Sequence, residues 1–336
     1  MVDRARLAPL ACLALLLVLP PLLEATDQAF YISLLTRVLI AGLAAASLDL
    51  ILGYGGMVSF GHAAFLGVGG YVFGILMTHG FMGDTLVLGS LEIPGTNEAL
   101  IILPVAMVLA GLVALAVGAI CLRTSGVHFI MITLAFAQML YFLFVGLEAY
   151  GGDDGLSLWD RATLAGWTVS GDMATFYLSL AALVAFLLLA RRLVESRFGM
   201  VIRAARQNER RLAALGLPVY RYKLACFALA GMAAGLAGAL TVNHAEFVSP
   251  AMVHWTRSGE MLVMVILGGM GTLYGPVLGA AVYFLLEHLL SGWTEHWMAA
   301  FGPALVLAVL FFRGGLWRVI AGKEGDKSLG EAKRHG

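Results

Sequence analysis

"SRFGMVIRAARQNERRLAALGLPVYRYKL", Ser196 to Leu224, is the stretch whose reading decides the fold. Nine of the chain's 21 lysines and arginines lie between Arg191 and Lys223, against two acids, in a protein of 336 residues that is 60% hydrophobic. Mean hydropathy is +0.90. Only 12% of residues are charged, far below the roughly 25% of a soluble domain. A chain this apolar is a polytopic membrane protein, and a short loop this rich in arginine stays on the cytoplasmic side. The net charge is zero, so the placement of each sign carries the information, and no basic footprint for nucleic acid is present.

Apolar segments run at about 7–23, 30–52, 58–79, 100–122, 127–147, 174–190, 224–242, 258–270, 273–290 and 298–312. Most approach the ~20 residues a helix needs to cross ~30 Å of hydrocarbon, where an unpaired backbone amide finds no water. The expected fold is therefore an all-α bundle of about ten spans in a single domain, 1–336, with the 191–223 loop and a basic tail from Arg313 on the inside. Loop 80–98 carries Asp84, Glu92 and Glu98 without a base, and loop 148–172 carries five acids against Arg161 alone; both belong outside. Placing both termini inside requires an even number of crossings, so 258–290 must break at "GGMGTLYGP" rather than run as one helix. The N-terminal apolar run follows Arg4 and Arg6 like a secretory signal, but Glu24 intrudes and no small-x-small cleavage site follows the prolines, so the expectation is a retained first span. Cys12, Cys121 and Cys226 are an odd number set in apolar sequence and read as packed thiols.

A second glycine cluster, "LGYGGMVSFGHAAFLGVGGY" at 52–71, separates two apolar runs, and "ILGYGGMVSFG" at 51 aligns with "ILGGMGTLYG" at 266 with one gap. Paired glycine interruptions point to broken helices around a midplane pathway, which makes Gly55, Gly56, Ser59, Gly61, His62, Gly268, Gly269 and Gly271 the pathway candidates. The alternative is that these glycines only let helices approach closely. Ionisable and polar groups inside the spans are Arg37, Asp49, His62, His128, Gln138, Glu260, Glu287 and His288. Arg37 is expected to pair with an acid other than Asp49, twelve residues on. No acid–base set or metal cluster emerges: His244 and Glu246 lack a third ligand, and "GGDDGLS" is too short for a calcium loop.

Read as one helix from Gly199 to Leu215, the basic loop puts Val201, Ala205, Asn208, Leu212 and Leu215 on one face and Arg203, Arg206 and Arg210 on the other, before Gly216 and Pro218 stop it. Such a helix fits either lipid headgroups or a groove on a cytoplasmic protein, and the residues leave both open.

"FGMVIRAARQNERRLAALGLPVYRYKL" resembles the coupling loop of ABC-importer permeases, with Glu209, Ala213 or Ala214, and Gly216 as the matching positions. "YGGMVSFGHAAFLGVGGY", "LRTSGVHFIMITLAFAQM", "GGDDGLS", "FALAGMAAGLAGAL" and "LGGMGTLYGPVLGA", spread from 54 to 280, are together similar to the LivM-type permeases of branched-chain amino acid importers. The resemblance implies a bacterial inner-membrane transport subunit without cofactor, working with a second permease chain, two cytoplasmic ATPases and a periplasmic substrate-binding protein. The Glu-Ala-Ala opening of the general permease loop is here "ERRLAALG", so the resemblance itself reaches only Glu209, Ala213 or Ala214, and Gly216. With the two helix faces added, the residues expected to couple to the ATPase are Val201, Arg203, Ala205, Arg206, Glu209, Leu212, Leu215 and Gly216. The chain holds no Gly-x4-Gly-Lys-Ser/Thr; "AGKEG" lacks the first glycine and the hydroxyl. A permease for urea or short amides, an ion-coupled carrier acting alone and a membrane-embedded enzyme are the competing expectations.

Overall fold

The structure, a computed structural model, describes residues 4–26, 28–88, 91–164, 167–168, 171–292, 299, 301–303, 306 and 314–317. Its helices are α1 (Arg4–Ala25), α2 (Ala29–Asp49), α3 (His62–Met82), α4 (Ala99–Cys121), α5 (Val127–Val145), α6 (Asp172–Glu195), α7 (Arg197–Gln207), α8 (Glu209–Ala214), α9 (Val219–Ala245), α10 (Trp255–Gly268) and α11 (Gly275–Ser291). The strands are short antiparallel pairs in the acidic loops: β1 (Thr85–Leu88) with β2 (Leu91–Pro94), β3 (Leu156–Ser157) with β6 (Phe247–Val248), and β4 (Thr163–Leu164) with β5 (Trp167–Thr168). The protein is an all-α polytopic membrane bundle. Among the described residues six helices are long and apolar enough to cross a bilayer: Phe30–Tyr54, which is α2 from its second residue continued by the turn that follows it, then α3, α4, α5, α6 and α9. The apolar segment 298–312 and the basic tail lie largely outside the described residues.

Small residues decide where helices touch. On α9, Gly231 faces Ala114 of α4, Gly235 faces Ala110, and Gly238 lies against the backbone of Leu66 on α3. A side chain at any of these positions would collide with a neighbouring backbone or methyl, so α9 sits wedged between α3 and α4 in the close approach that dispersion-driven packing in lipid requires. Phe65, Phe129 and Phe227 close the gap toward the basic end by edge-on ring contacts. At the acidic end Arg161 bridges Asp172 and Glu246, both at 2.8 Å, pinning the 148–172 loop to the ends of α6 and α9.

Two interruptions stand apart from this continuous packing. After Asp49, α2 passes into a single π-helical turn, Leu50–Tyr54, and the chain then runs non-helically until Gly61 introduces α3. α3 thus begins four residues later than the hydropathy segment, where Gly56 takes φ +69°. In the second interruption α10 ends at Gly268, and Gly269 and Gly271 take φ +117° and +74° before α11 opens with Gly275 and Pro276. Left-handed backbone favours glycine, and proline fits a first helical turn, so this composition specifies a break. The expected division of 258–290 is present.

Arg37 departs from expectation. Its guanidinium lies 5.1 Å from the centre of the Phe284 ring instead of against an acid. The aromatic face supplies the electron-rich partner that a carboxylate was expected to provide.

Candidate functional site: the junction of the basic loop and the glycine breaks

The basic loop is two helices, which corrects the single helix read from Gly199 to Leu215. Asn208 adopts extended backbone (φ −161°, ψ 100°), and its side chain accepts a hydrogen bond from the Arg211 amide, capping α8. Ser196 caps α7 in the same way by accepting from Gly199. Asparagine and serine satisfy the free amides of a first turn better than they continue a helix, so each residue starts a new element.

This break redistributes the faces. Ala205 and Leu212 turn inward with Val219 of α9, and Val201, Ala204 and Leu217 pack around them. Ile202, outside the expected stripe, is buried in the main core. The apolar stripe therefore holds α7 and α8 to their own bundle. Leu215, 72% exposed against 8% for Leu212, stays free. Glu209 pairs with Lys223 of α9, and Gly216 ends α8 with φ +78°. Arg203, expected to face away, lies across the start of its own helix, donating to the carbonyls of Val194 and Gly199 at 3.3 and 3.4 Å.

Arg206 reaches furthest. Its guanidinium donates to the carbonyl of Gly53, at the end of the π-helical turn. A π turn leaves carbonyls out of the regular ladder, and a charged donor satisfies one here. One turn earlier, Asp49 is 2% exposed. Its carboxylate accepts from the Gly271 amide at 2.9 Å through Oδ1 and 3.2 Å through Oδ2, within electrostatic reach of Arg206. Gly53 has no space for a side chain, because a Cβ would overlap the Asp49 carboxylate and the Gly271 backbone; one on Gly56 would press on the Arg206 stem. The first glycine break, the second glycine break and the basic loop therefore meet at one point, held by two side chains.

Of the pathway candidates, Gly55, Gly56, Gly268, Gly269 and Gly271 belong to this junction or its margins. Ser59, Gly61 and His62 lie apart from it. Gly61 sits against the Thr133 backbone of α5, and its amide donates to Ser59 Oγ at 3.2 Å. His62 is fully buried, with Nε2 2.8 Å from Ser47 Oγ and its ring edge-on to Phe65. Nε2 is thus hydrogen-bonded, while Nδ1 is buried and meets no hydrogen-bond partner among the described residues.

A family model described as the branched-chain amino acid transport system permease component matches residues 30–312. The chain belongs to this permease family. Among curated relatives, the permease is 27% identical over 293 residues to the Escherichia coli K12 protein named high-affinity branched-chain amino acid transport system permease protein LivM, covering 80% of this chain and 65% of that protein. The Salmonella typhimurium protein of the same name is 28% identical over 297 residues, with the same coverage. A Methanocaldococcus jannaschii protein named probable branched-chain amino acid transport permease protein LivM is 27% identical over 271 residues, 73% of this chain and 76% of the relative. The permease thus spans just under two thirds of the length of the first two relatives. No solved structure matches it.

Proposed function

We propose that this permease is one of two membrane subunits of an ABC importer and forms part of the path for branched-chain or other hydrophobic amino acids across a bacterial inner membrane. Two cytoplasmic ATPases supply the energy, and a periplasmic binding protein delivers the substrate. The relatives carry the substrate class in their names. Ten crossings with both termini cytoplasmic complete the topology, from the charge asymmetry of the loops.

The observation that carries this reading is the wiring of the basic loop into the bundle. α7 and α8 present Leu215, Ala213, Ala214 and Met200 outward, while Arg206 grips Gly53 beside the Asp49–Gly271 contact. Val201, Ala205 and Leu212 brace the pair, Arg203 ties α7 to α6, and Glu209 and Gly216 set the pitch of α8. An ATPase that moves this helix pair pulls on the first glycine break directly and on the second through Asp49. A loop that only rested on lipid would have no use for that connection.

The test is reconstitution of the permease with its partners in proteoliposomes. L-Leucine uptake should require ATP, both ATPases, the second permease chain and the loaded binding protein. Uptake by the purified chain alone on a proton or sodium gradient would overturn the assignment.

A further inference from the structure

Among the described residues, charge within the apolar segments is accessible at few places: Arg37 is exposed but lies over the Phe284 ring, and Glu287 is half-buried near the end of α11. Asp49 is buried and bonded. Arg257 and Glu260, on the first turns of α10, pair with each other at 2.8 Å, yet their side chains stay 54% and 33% exposed. Their depth follows from three contacts. Ser258, between them, accepts the Ala63 amide of α3 at 2.9 Å; Gly61 lies against Thr133; and the His254 ring packs 5.4 Å from Tyr141. These bracket the first turn of α10 between Thr133 and Tyr141, the middle of α5, whose span is Val127–Val145. Thr256 is exposed beside the pair, and Gln138, half-buried, lies at the same level of α5.

A charged side chain facing hydrocarbon at this depth costs at least ~2.5 kcal/mol, and an exposed ion pair recovers little of that. An arginine and a glutamate left accessible at mid-span therefore face water. We propose that Arg257 and Glu260 line an aqueous section of the translocation path and receive the two ends of a zwitterionic α-amino acid. Arg257 takes the carboxylate, whose two oxygens match its planar fork, and Glu260 takes the ammonium. Paired with each other while the path is empty, they exchange that contact for a ligand of complementary charges. The inference rests on the permease reading and adds to it the residues that hold the substrate in transit.

The test uses the complete importer, with Cys12, Cys121 and Cys226 replaced and a single cysteine placed by Thr256→Cys, one turn from Glu260. Phe142→Cys, on the exposed face of α5, serves as the lipid-facing control. A membrane-impermeant charged thiol reagent should modify the cysteine at 256 and leave that at 142 unmodified, and L-leucine delivered during turnover should slow the modification several-fold. Gly259→Cys, where a Cβ meets nothing within 4 Å, replaces the first variant should that one fail to assemble. In parallel, Glu260→Gln and Arg257→Gln should each lower L-leucine uptake about tenfold, the loss that follows removal of a charge-assisted hydrogen bond, with the assembled complex recovered in full. No modification at 256, modification indifferent to L-leucine, or unchanged uptake by both charge variants would overturn the proposal. The unsubstituted importer separates the two claims: if it takes up L-leucine with ATP while these results fail, only the pathway residues are wrong.

Discussion

The glycines of α9 and those of the two interruptions sit in similar sequence, small residues spaced along apolar runs, yet they do opposite work. Gly231, Gly235 and Gly238 keep helical backbone and take neighbours at van der Waals distance, so α9 runs unbroken for 27 residues. Gly56, Gly269 and Gly271 take left-handed φ and end the helices they follow. The difference lies in what surrounds them. Around these three glycines there are the alanine methyls of α4, the Phe65 ring and backbone already paired within its own helix. At the breaks Asp49 and Arg206 stand ready to accept and donate for the freed backbone groups. A helix can be interrupted in lipid only where such partners exist, so the charged residues permit the breaks as much as the glycines do.

The comparison breaks first at α9. Gly235→Leu or Gly238→Leu must push α3 or α4 away, and should cost about 3 kcal/mol or more, read as loss of monodisperse protein in detergent. An equal yield of folded protein would mean that α9 is not the wedge of the bundle.

At the breaks the cost is smaller and chemically specific. Asp49→Ala leaves the Gly271 amide without its acceptor and should lower stability by about 1–3 kcal/mol. Asp49→Asn, which keeps an acceptor oxygen, should recover part of the melting temperature. Equal melting of the alanine and asparagine variants would remove the hydrogen bond from the account.

The two leucines of the basic loop sharpen the contrast between bracing and docking. Leu212→Asp puts a charge into the Ala205–Val219 cluster and should loosen the loop, with increased protease cleavage between residues 196 and 218. Leu215→Asp should leave cleavage unchanged and abolish co-purification of the ATPases. The reverse pattern would exchange their roles. Smallest is Gly216→Ala: with φ +78° and open space around it, it should cost about 1 kcal/mol of local strain, read as a shift in hydrogen exchange confined to the end of α8.

Hydropathy places the helices well, because lipid leaves an apolar run of span length one structure to adopt. The break at 269–274 is legible too, since the expectation of two cytoplasmic termini, read from the loop charges, called for an even number of crossings and the glycines of "GGMGTLYGP" offered the place for it. The division of the basic loop had a local signal that periodicity overrode: Asn208 precedes Glu209 as a capping residue does. The junction had none. Arg206 meets Gly53 across 153 positions, and Asp49 meets Gly271 across 222. Pairings that distant are fixed by how the bundle closes, and helical periodicity assigned Arg206 to the outward face for want of a partner in reach. The packed surroundings of His62 were equally hidden, because a histidine among glycines and alanines reads the same whether Ser47 lies beside it or a substrate does.

The proposed coupling routes force through Arg206, which donates to Gly53, so the most direct test is the number of ATP molecules hydrolysed per L-leucine transported by the whole importer carrying Arg206→Ala. The ATPases should stay bound and hydrolysis should continue while uptake falls, so that the ratio rises well above that of the unsubstituted complex. A ratio equal to that of the unsubstituted complex would show that force reaches the glycine breaks by another route and would contradict the account.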